Sequence, residues 1–474
     1  MSPTTVALAI LLLGVLALIG IAVRAYSRTT QKLFLPVSLI AGFIALIVGP
    51  QVLGRLGGWL GWDGLTEGGL FGADVLAVWS ELPGLLISVV FAALFLGSPI
   101  PSLKRAVKLL GPQLSLGVTF ASGQYVIGIL IAVLILVPLF NVTPMFGALI
   151  EIGFEGGHGT AAGMAPVMAE MGWEDGGDLA LAMATVGILS GVIVGVIAVN
   201  WAARRGHSQT LDVKANEDPE IARGFYRREQ PSGGLQTVRS ESVDSLTLHI
   251  GIIAVAILIG QGILSALQWI EQLLWADAIE IFAYVPLFPL AMLGGVIIQM
   301  FADRTGLSIF INRGTMERIQ GLALDTLIIA AMATLSLDAI ADNIAPFAIL
   351  AVAGVLWNCF VLFYLAPRFI QSYWFERGIA DFGQSMGVTA TGLLLLRMAD
   401  PNQKSPAYEA FGYKQLVFEP FFGGGLITAA SIPLIVQLGP YPLLIIMAVV
   451  LIASLLSGLF YFGKRDTFVV KGLQ

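Results

Sequence analysis

Residues 146–172, FGALIEIGFEGGHGTAAGMAPVMAEMG, are apolar enough to lie at membrane depth and too broken to be an ordinary spanning helix. The break falls at Gly156, Gly157, His158, Gly159 and Thr160. Glycines there permit positive φ and close approach of backbone to a ligand. A helix starting near Thr160 would point free N–H groups and a positive dipole end at that ligand, which suits an anionic group. Residues 382–401, FGQSMGVTATGLLLLRMADP, repeat the design with Gly383, Gln384, Ser385, Gly387, Thr389 and Thr391. Thr160-Ala161-Ala162-Gly163 aligns with Thr389-Ala390-Thr391-Gly392.

The rest of the chain is a membrane protein by composition. Of 474 residues 57% are hydrophobic and 12% charged, where a soluble domain carries about 25% charged residues. Mean hydropathy is +0.86. A net charge of −6 without a basic stripe excludes nucleic-acid binding. The single cysteine, Cys359, excludes an internal disulfide and a cysteine metal cage. At about 20 apolar residues per crossing, spans are expected near 4–23, 33–54, 82–98, 113–140, 177–203, 247–270, 281–302, 322–337, 345–366, 415–435 and 440–462. The first run lacks a positive leading region and reads as a retained span rather than a signal peptide.

Two stretches, 143–170 and 369–400, are only moderately apolar and are expected as re-entrant loops. With the N-terminus outside and both loops returning to the side they left, the Lys and Arg residues gather in inner loops and only Arg55 falls outside. Turning either loop into a full span would invert every later loop. Each half then has four spans, a loop and a fifth span, an odd number that makes the second copy inverted. The expected organisation is all-α: a first five-helix repeat (1–203), a mixed-charge cytoplasmic linker (204–246), an inverted second repeat (247–435), and an extra C-terminal span and tail (440–474). Secondary transporters of this architecture build substrate and ion sites where interrupted helices meet at the midplane.

Hydroxyls and bare carbonyls at the tips are the hard oxygen ligands a dehydrated Na⁺ needs. Glu155, Thr160, Gln384 and Thr389 are the candidate Na⁺ ligands. Gln124 and Asn358, mid-span in the fourth helix of each half, are candidate amide contacts to substrate. Arg397 either pairs bidentately with a substrate carboxylate or snorkels to the cytoplasmic surface beside Asp400.

The GGHGT stretch at Gly156–Thr160, the Gln-bearing span SGQYVIG around Gln124, and the mirrored Gly-rich second loop resemble the bacterial sodium:glutamate symporter family. The resemblance implies two inverted five-helix repeats with re-entrant loops, Na⁺-coupled L-glutamate uptake by an elevator-type movement, a homodimer, and residence in the inner membrane. The substrate-binding set it points to is Gly156, Gly157, His158, Gly159, Thr160, Gln124, Ser385, Gly387, Thr389, Thr391, Asn358 and Arg397. Three features depart from the family pattern: the long linker, the eleventh span, and Glu155, a fixed carboxylate beside an expected anion pocket. Glu155 and His158 therefore keep open another organic anion such as a dicarboxylate, or proton coupling. A membrane enzyme is disfavoured, because three histidines and no HExxH-like cluster supply few catalytic or metal ligands.

Overall fold

The computed structural model describes residues 2–32, 35–62, 68–98, 103–210, 232–239, 241–274, 282, 285–400 and 404–464. Most of the expected linker (211–231 and 240), and the tail 465–474 with its Arg465 and Lys471, lie outside the described residues. All regular structure among the described residues is helical. Ten helices are long and apolar enough to cross a membrane: Pro3–Tyr26, Val37–Leu60, Ala73–Ala93, Leu110–Phe140, Gly176–Arg205, Ser245–Leu274, Leu287–Thr305, Ile344–Phe369, Trp374–Ala399 and Pro440–Phe462.

The elements used below are α1 (Pro3–Tyr26), α2 (Val37–Val48), α3 (Ala73–Ala93), α4 (Leu103–Ile131), α5 (Gly157–Glu170), α6 (Gly176–Arg205) and α7 (Ser245–Leu274). They continue with α8 (Leu287–Thr305), α9 (Arg313–Ala333), α10 (Ile344–Phe360), α11 (Trp374–Ala399), α12 (Ala407–Phe418), α13 (Leu426–Leu438) and α14 (Pro440–Leu456).

Two expected boundaries shift for a common reason. The span expected at 82–98 is α3, and the one expected at 322–337 is α9. Each helix starts earlier because its first turns carry charge, Asp74 and Glu81 in α3, Arg313, Glu317 and Arg318 in α9, which depresses hydropathy without breaking the helix. α9 starts at Asn312, whose side chain accepts the Thr315 N–H as a cap.

Six helices pack reciprocally. α2 lies on α9, α8 lies on α3, and α3 and α9 lie on each other, so the second and third helices of each half cross over to the other half. α1 flanks α2 as α7 flanks α8. These contacts are close because small residues sit in them: a Cβ on Gly260 would meet the Leu290–Ala291 backbone, and one on Gly42 would meet Met332. The remaining elements pack around the broken segments, with α6 against α5 and α11, and α4 against α10, α12 and α14. Leu11, Leu258 and Ile445 on α1, α7 and α14 are exposed apolar side chains suited to lipid.

Candidate functional site

The first broken segment runs through a 3₁₀ turn at Pro144–Ala148 and a π turn at Glu151–Glu155 into α5. Gly157, at φ +67°, makes the break. The Phe146 and Trp173 rings meet 5.1 Å apart at its feet, so the chain returns to the level it left. The second segment is α11, broken at Gly387 and Val388. A Cβ on Gly383 would lie 2.7 Å from Gly392 Cα, which brings the legs 374–386 and 389–399 against each other. Val388 takes φ +63°, a conformation that costs a β-branched residue about 1–3 kcal/mol and persists only where the surroundings impose it.

The tips touch. A Cβ on Gly157 would stand 2.3 Å from Val388 Cγ1, so only glycine fits between the two segments. The helices leading into them also match: each ends in a π turn, Ala132–Leu136 and Val361–Leu365, followed by Pro138 and Pro367. Each proline stands 22 residues ahead of its tip threonine, Thr160 or Thr389.

A third break was not anticipated. The span expected at 415–435 is two shorter helices, α12 and α13, separated at Glu419–Gly425, with Gly423 at φ +67° and Gly424 at +103°. Glu419-Pro420 followed by three glycines ends the helix at membrane depth. Backbone freed by a break must find partners when water is excluded. Here it does: the Gly423 N–H and Thr428 hydroxyl donate to Glu151 Oε1 at 3.1 and 2.8 Å, and the Tyr125 hydroxyl donates to Oε2 at 2.6 Å. Thr160 Oγ1 donates to the Gly423 carbonyl at 3.4 Å.

Between the tips and this third break lies a buried polar centre. Gln124 Nε2 donates to Asn358 Oδ1 at 3.1 Å and to the Ser385 carbonyl at 2.8 Å, and Asn358 Nδ2 donates to that carbonyl at 3.3 Å. The two amides thus hold the second tip. Thr389 Oγ1 donates to Glu419 Oε1 at 2.8 Å, and Gln415 Nε2 reaches both, at 2.6 and 2.7 Å. Gln384 joins Glu419 to Lys414, donating to the first at 3.4 Å and accepting from the second. Lys414 Nζ is 3.5 Å from Asp381 Oδ1, and both side chains are fully buried.

Glu155 is 2% exposed. The Ser385 hydroxyl of the opposite tip is the donor beside it, and neither carboxylate oxygen makes a hydrogen bond of good geometry among the described residues, as is also true of Asp381. A lone ionised carboxylate in such a place costs several kcal/mol. The nearby Glu419 Oε2 and Glu155 Cγ stand 3.4 and 3.8 Å from a Cβ built on Gly423.

The remaining sequence candidates divide. His158 Nε2 meets Thr185 Oγ1 at 2.9 Å, and its Nδ1 has no partner among the described residues. Gly156, Gly159 and Gly387 are buried at the tips, and Thr391 Oγ1 donates back to the Gly387 carbonyl within its own leg. Arg397 is exposed in the last turn of α11, two turns beyond the tip, and is not part of the centre. Glu151, Asp381, Lys414, Gln415 and Glu419 are central and were not candidates from sequence. A cavity of about 340 Å³ connects Thr389, Gln415 and Glu419 to Ser98, Arg313 and Glu409 near helix ends.

Ten membrane-length helices around a buried polar centre held on helix breaks define a multi-pass membrane protein. The sodium/glutamate symporter family profile matches residues 69–397, and the chain belongs to that family, a family of transporters. The match spans both tips and stops short of α12, so Lys414, Gln415 and Glu419 lie beyond it. No curated protein sequence matches the chain.

Proposed function

We propose that the protein couples L-glutamate uptake to an inward Na⁺ gradient by alternating access, with the two broken segments as inverted re-entrant hairpins. The observation that carries this reading is the tip-to-tip contact of Gly157 and Val388, from opposite halves, beside the buried Glu155 carboxylate, which the Ser385 hydroxyl of the opposite tip faces. Transporters place substrate and ions at such interrupted helices. The reciprocal packing of α2 and α3 with α8 and α9 supports an inverted pair of repeats, with those helices as a frame beside the hairpins.

Na⁺ is the ion the tips suit. Glu155 and Thr160, with Gln384, Ser385 and Thr389 across the interface, offer hard oxygens. The charge order follows. Glu151, Glu155, Asp381 and Glu419 are buried with Lys414 and Arg377, so buried carboxylates outnumber buried cations and an anionic substrate is repelled until a cation has entered. Once it has, the tip N–H groups of α5 and of the second leg 389–399 receive a substrate carboxylate. The cavity from Thr389 and Glu419 toward Arg313 is the inner access route, since the Arg-bearing loops read as cytoplasmic.

The test is uptake of labelled L-glutamate by proteoliposomes under an inward Na⁺ gradient, with K⁺ and proton gradients as controls. Concentrative, saturable, Na⁺-dependent uptake is expected. Uptake driven equally by a proton gradient alone would overturn Na⁺ coupling, and failure with glutamate but success with another dicarboxylate would overturn the substrate.

A further inference from the structure

Lys414 is a fully buried cation in a setting dominated by carboxylates, and α4 is shaped around it. A Cβ on Gly117 would stand 2.4 Å from Lys414 Cε and 3.0 Å from Nζ, so the absence of a side chain at position 117 makes the channel through which the lysine reaches the centre. Below it the Phe418 ring lies 3.9 Å from Nζ and the Phe411 ring 5.5 Å. Such stacking holds an ammonium by its electrostatic attraction to the ring face without fixing it by directed bonds. Its directed contacts are few: Gln384 Oε1 accepts its hydrogen bond and Asp381 Oδ1 lies at 3.5 Å. Gln384 Nε2 in turn donates to Glu419 Oε1 at 3.4 Å, which links the ammonium to that carboxylate.

We propose that Lys414 is the internal counter-cation of the unloaded carrier. This rests on the transport reading above. A carrier that works in cycles must reorient without its coupling ion, and a cluster of bare carboxylates moved through a low-dielectric interior costs several kcal/mol. A tethered ammonium on a long, flexible stem, cradled on aromatic faces, supplies one positive charge that cannot dissociate. When Na⁺ enters beside Glu155, the ammonium retracts toward Asp381 and Gln384. When Na⁺ leaves, the ammonium leans toward Glu155 and Glu419. Gln384 is the pivot, because its amide touches Lys414 with one end and Glu419 with the other. A lysine suits this part where an arginine does not: its compact charge and four-carbon stem move freely, and the Gly117 channel leaves no room for a planar fork.

The proposal separates two modes of transport. Counterflow exchange, with Na⁺ and glutamate on both sides, requires only the loaded carrier to reorient. Net uptake requires the empty carrier to return as well. In proteoliposomes of the full chain, Lys414→Gln should lower the ratio of net Na⁺-driven uptake to counterflow about tenfold or more, and Lys414→Arg should recover less than half of it. Gly117→Ala, which leaves the lysine in place and narrows its channel, should lower the same ratio in the same direction. It also serves where the charge substitution fails to yield folded protein. Equal loss of both modes in Gly117→Ala, or an unchanged ratio in Lys414→Gln, overturns the proposal. Wild-type vesicles without counterflow would overturn the transport reading and this inference with it.

Discussion

The two broken segments solve the same problem with different chemistry. Both follow a π turn and a proline, both reverse at a residue with φ near +65°, and they meet at those residues. The first reverses at glycine, for which positive φ is cheap; the second reverses at valine, for which it is not. The first tip is acidic, with Glu151 saturated by Tyr125, Thr428 and Gly423 and Glu155 buried beside the Ser385 hydroxyl of the other tip. The second is amide and hydroxyl, with Gln384, Ser385 and Thr389 spread toward Lys414 and Glu419. One half thus supplies charge and the other supplies adaptable polar partners.

Their feet differ as well. The first segment closes on itself through the Phe146 and Trp173 rings. The second is closed by the start of the linker: Ser208 Oγ, Gln209 N and Thr210 Oγ1 donate to Glu376 Oε1 at 2.7, 2.7 and 3.0 Å, and Thr210 Oγ1 reaches the Ala399 carbonyl at 2.7 Å. Residues 208–210 therefore bridge both legs. The linker is a structural part of the second broken segment at this end, and at the other its Leu235 N–H donates to Asn312 at the start of α9.

The largest expected effect breaks the tip contact itself. Gly157→Val puts a branched side chain at φ +67° into Val388, and we expect transport to fall by about a hundredfold or more, the kinetic equivalent of 3 kcal/mol. Gly157→Ala should be milder, and Val388→Gly should restore much of its activity by removing both clash and strain; failure of the pair to couple, measured as uptake, would break the symmetry of the comparison. Next comes the foot. Thr210→Val removes a hydroxyl bonded to both legs, and should cost about 1–2 kcal/mol of stability, read as a lowered Tm in detergent with Na⁺ affinity within threefold of wild type. The smallest effect is expected at Thr391, whose hydroxyl is spent within its own leg: Thr391→Val should change KM for glutamate less than threefold, whereas Thr389→Val, which severs a bond to Glu419, should change it more.

Much of this was legible in the sequence. The glycine-threonine tips, their correspondence at Thr160 and Thr389, and the amides Gln124 and Asn358 were visible because polar residues and glycine inside apolar runs violate the rule for spanning helices. Gln415 and Glu419 were hidden in the run 415–435, where hydropathy averages over the Glu419-Pro420 and Gly423-Gly424-Gly425 breaks that the local chemistry marks. Lys414 and Asp381 were hidden differently. Lys414 ends a basic, loop-like stretch in sequence, Asp381 stands just ahead of the glycine-rich tip, and only the packing of α12 on α4 and α11 brings the two together in the interior. Arg397 shows the converse, a charge in a leucine run that points outward.

If both tips make one site, a double-mutant cycle across them shows it. Glu155 and Ser385 come from opposite halves, and the buried Ser385 hydroxyl stands beside the Glu155 carboxylate. The measurement is the Na⁺ concentration for half-maximal glutamate uptake in wild type, Glu155→Gln, Ser385→Ala and the double variant. Each single substitution should raise it, Glu155→Gln by about tenfold or more, and the double should fall short of the product of the two by a coupling of about 0.5–3 kcal/mol. Independent, multiplicative effects, or no change from either substitution, would mean that the two tips touch without sharing an ion.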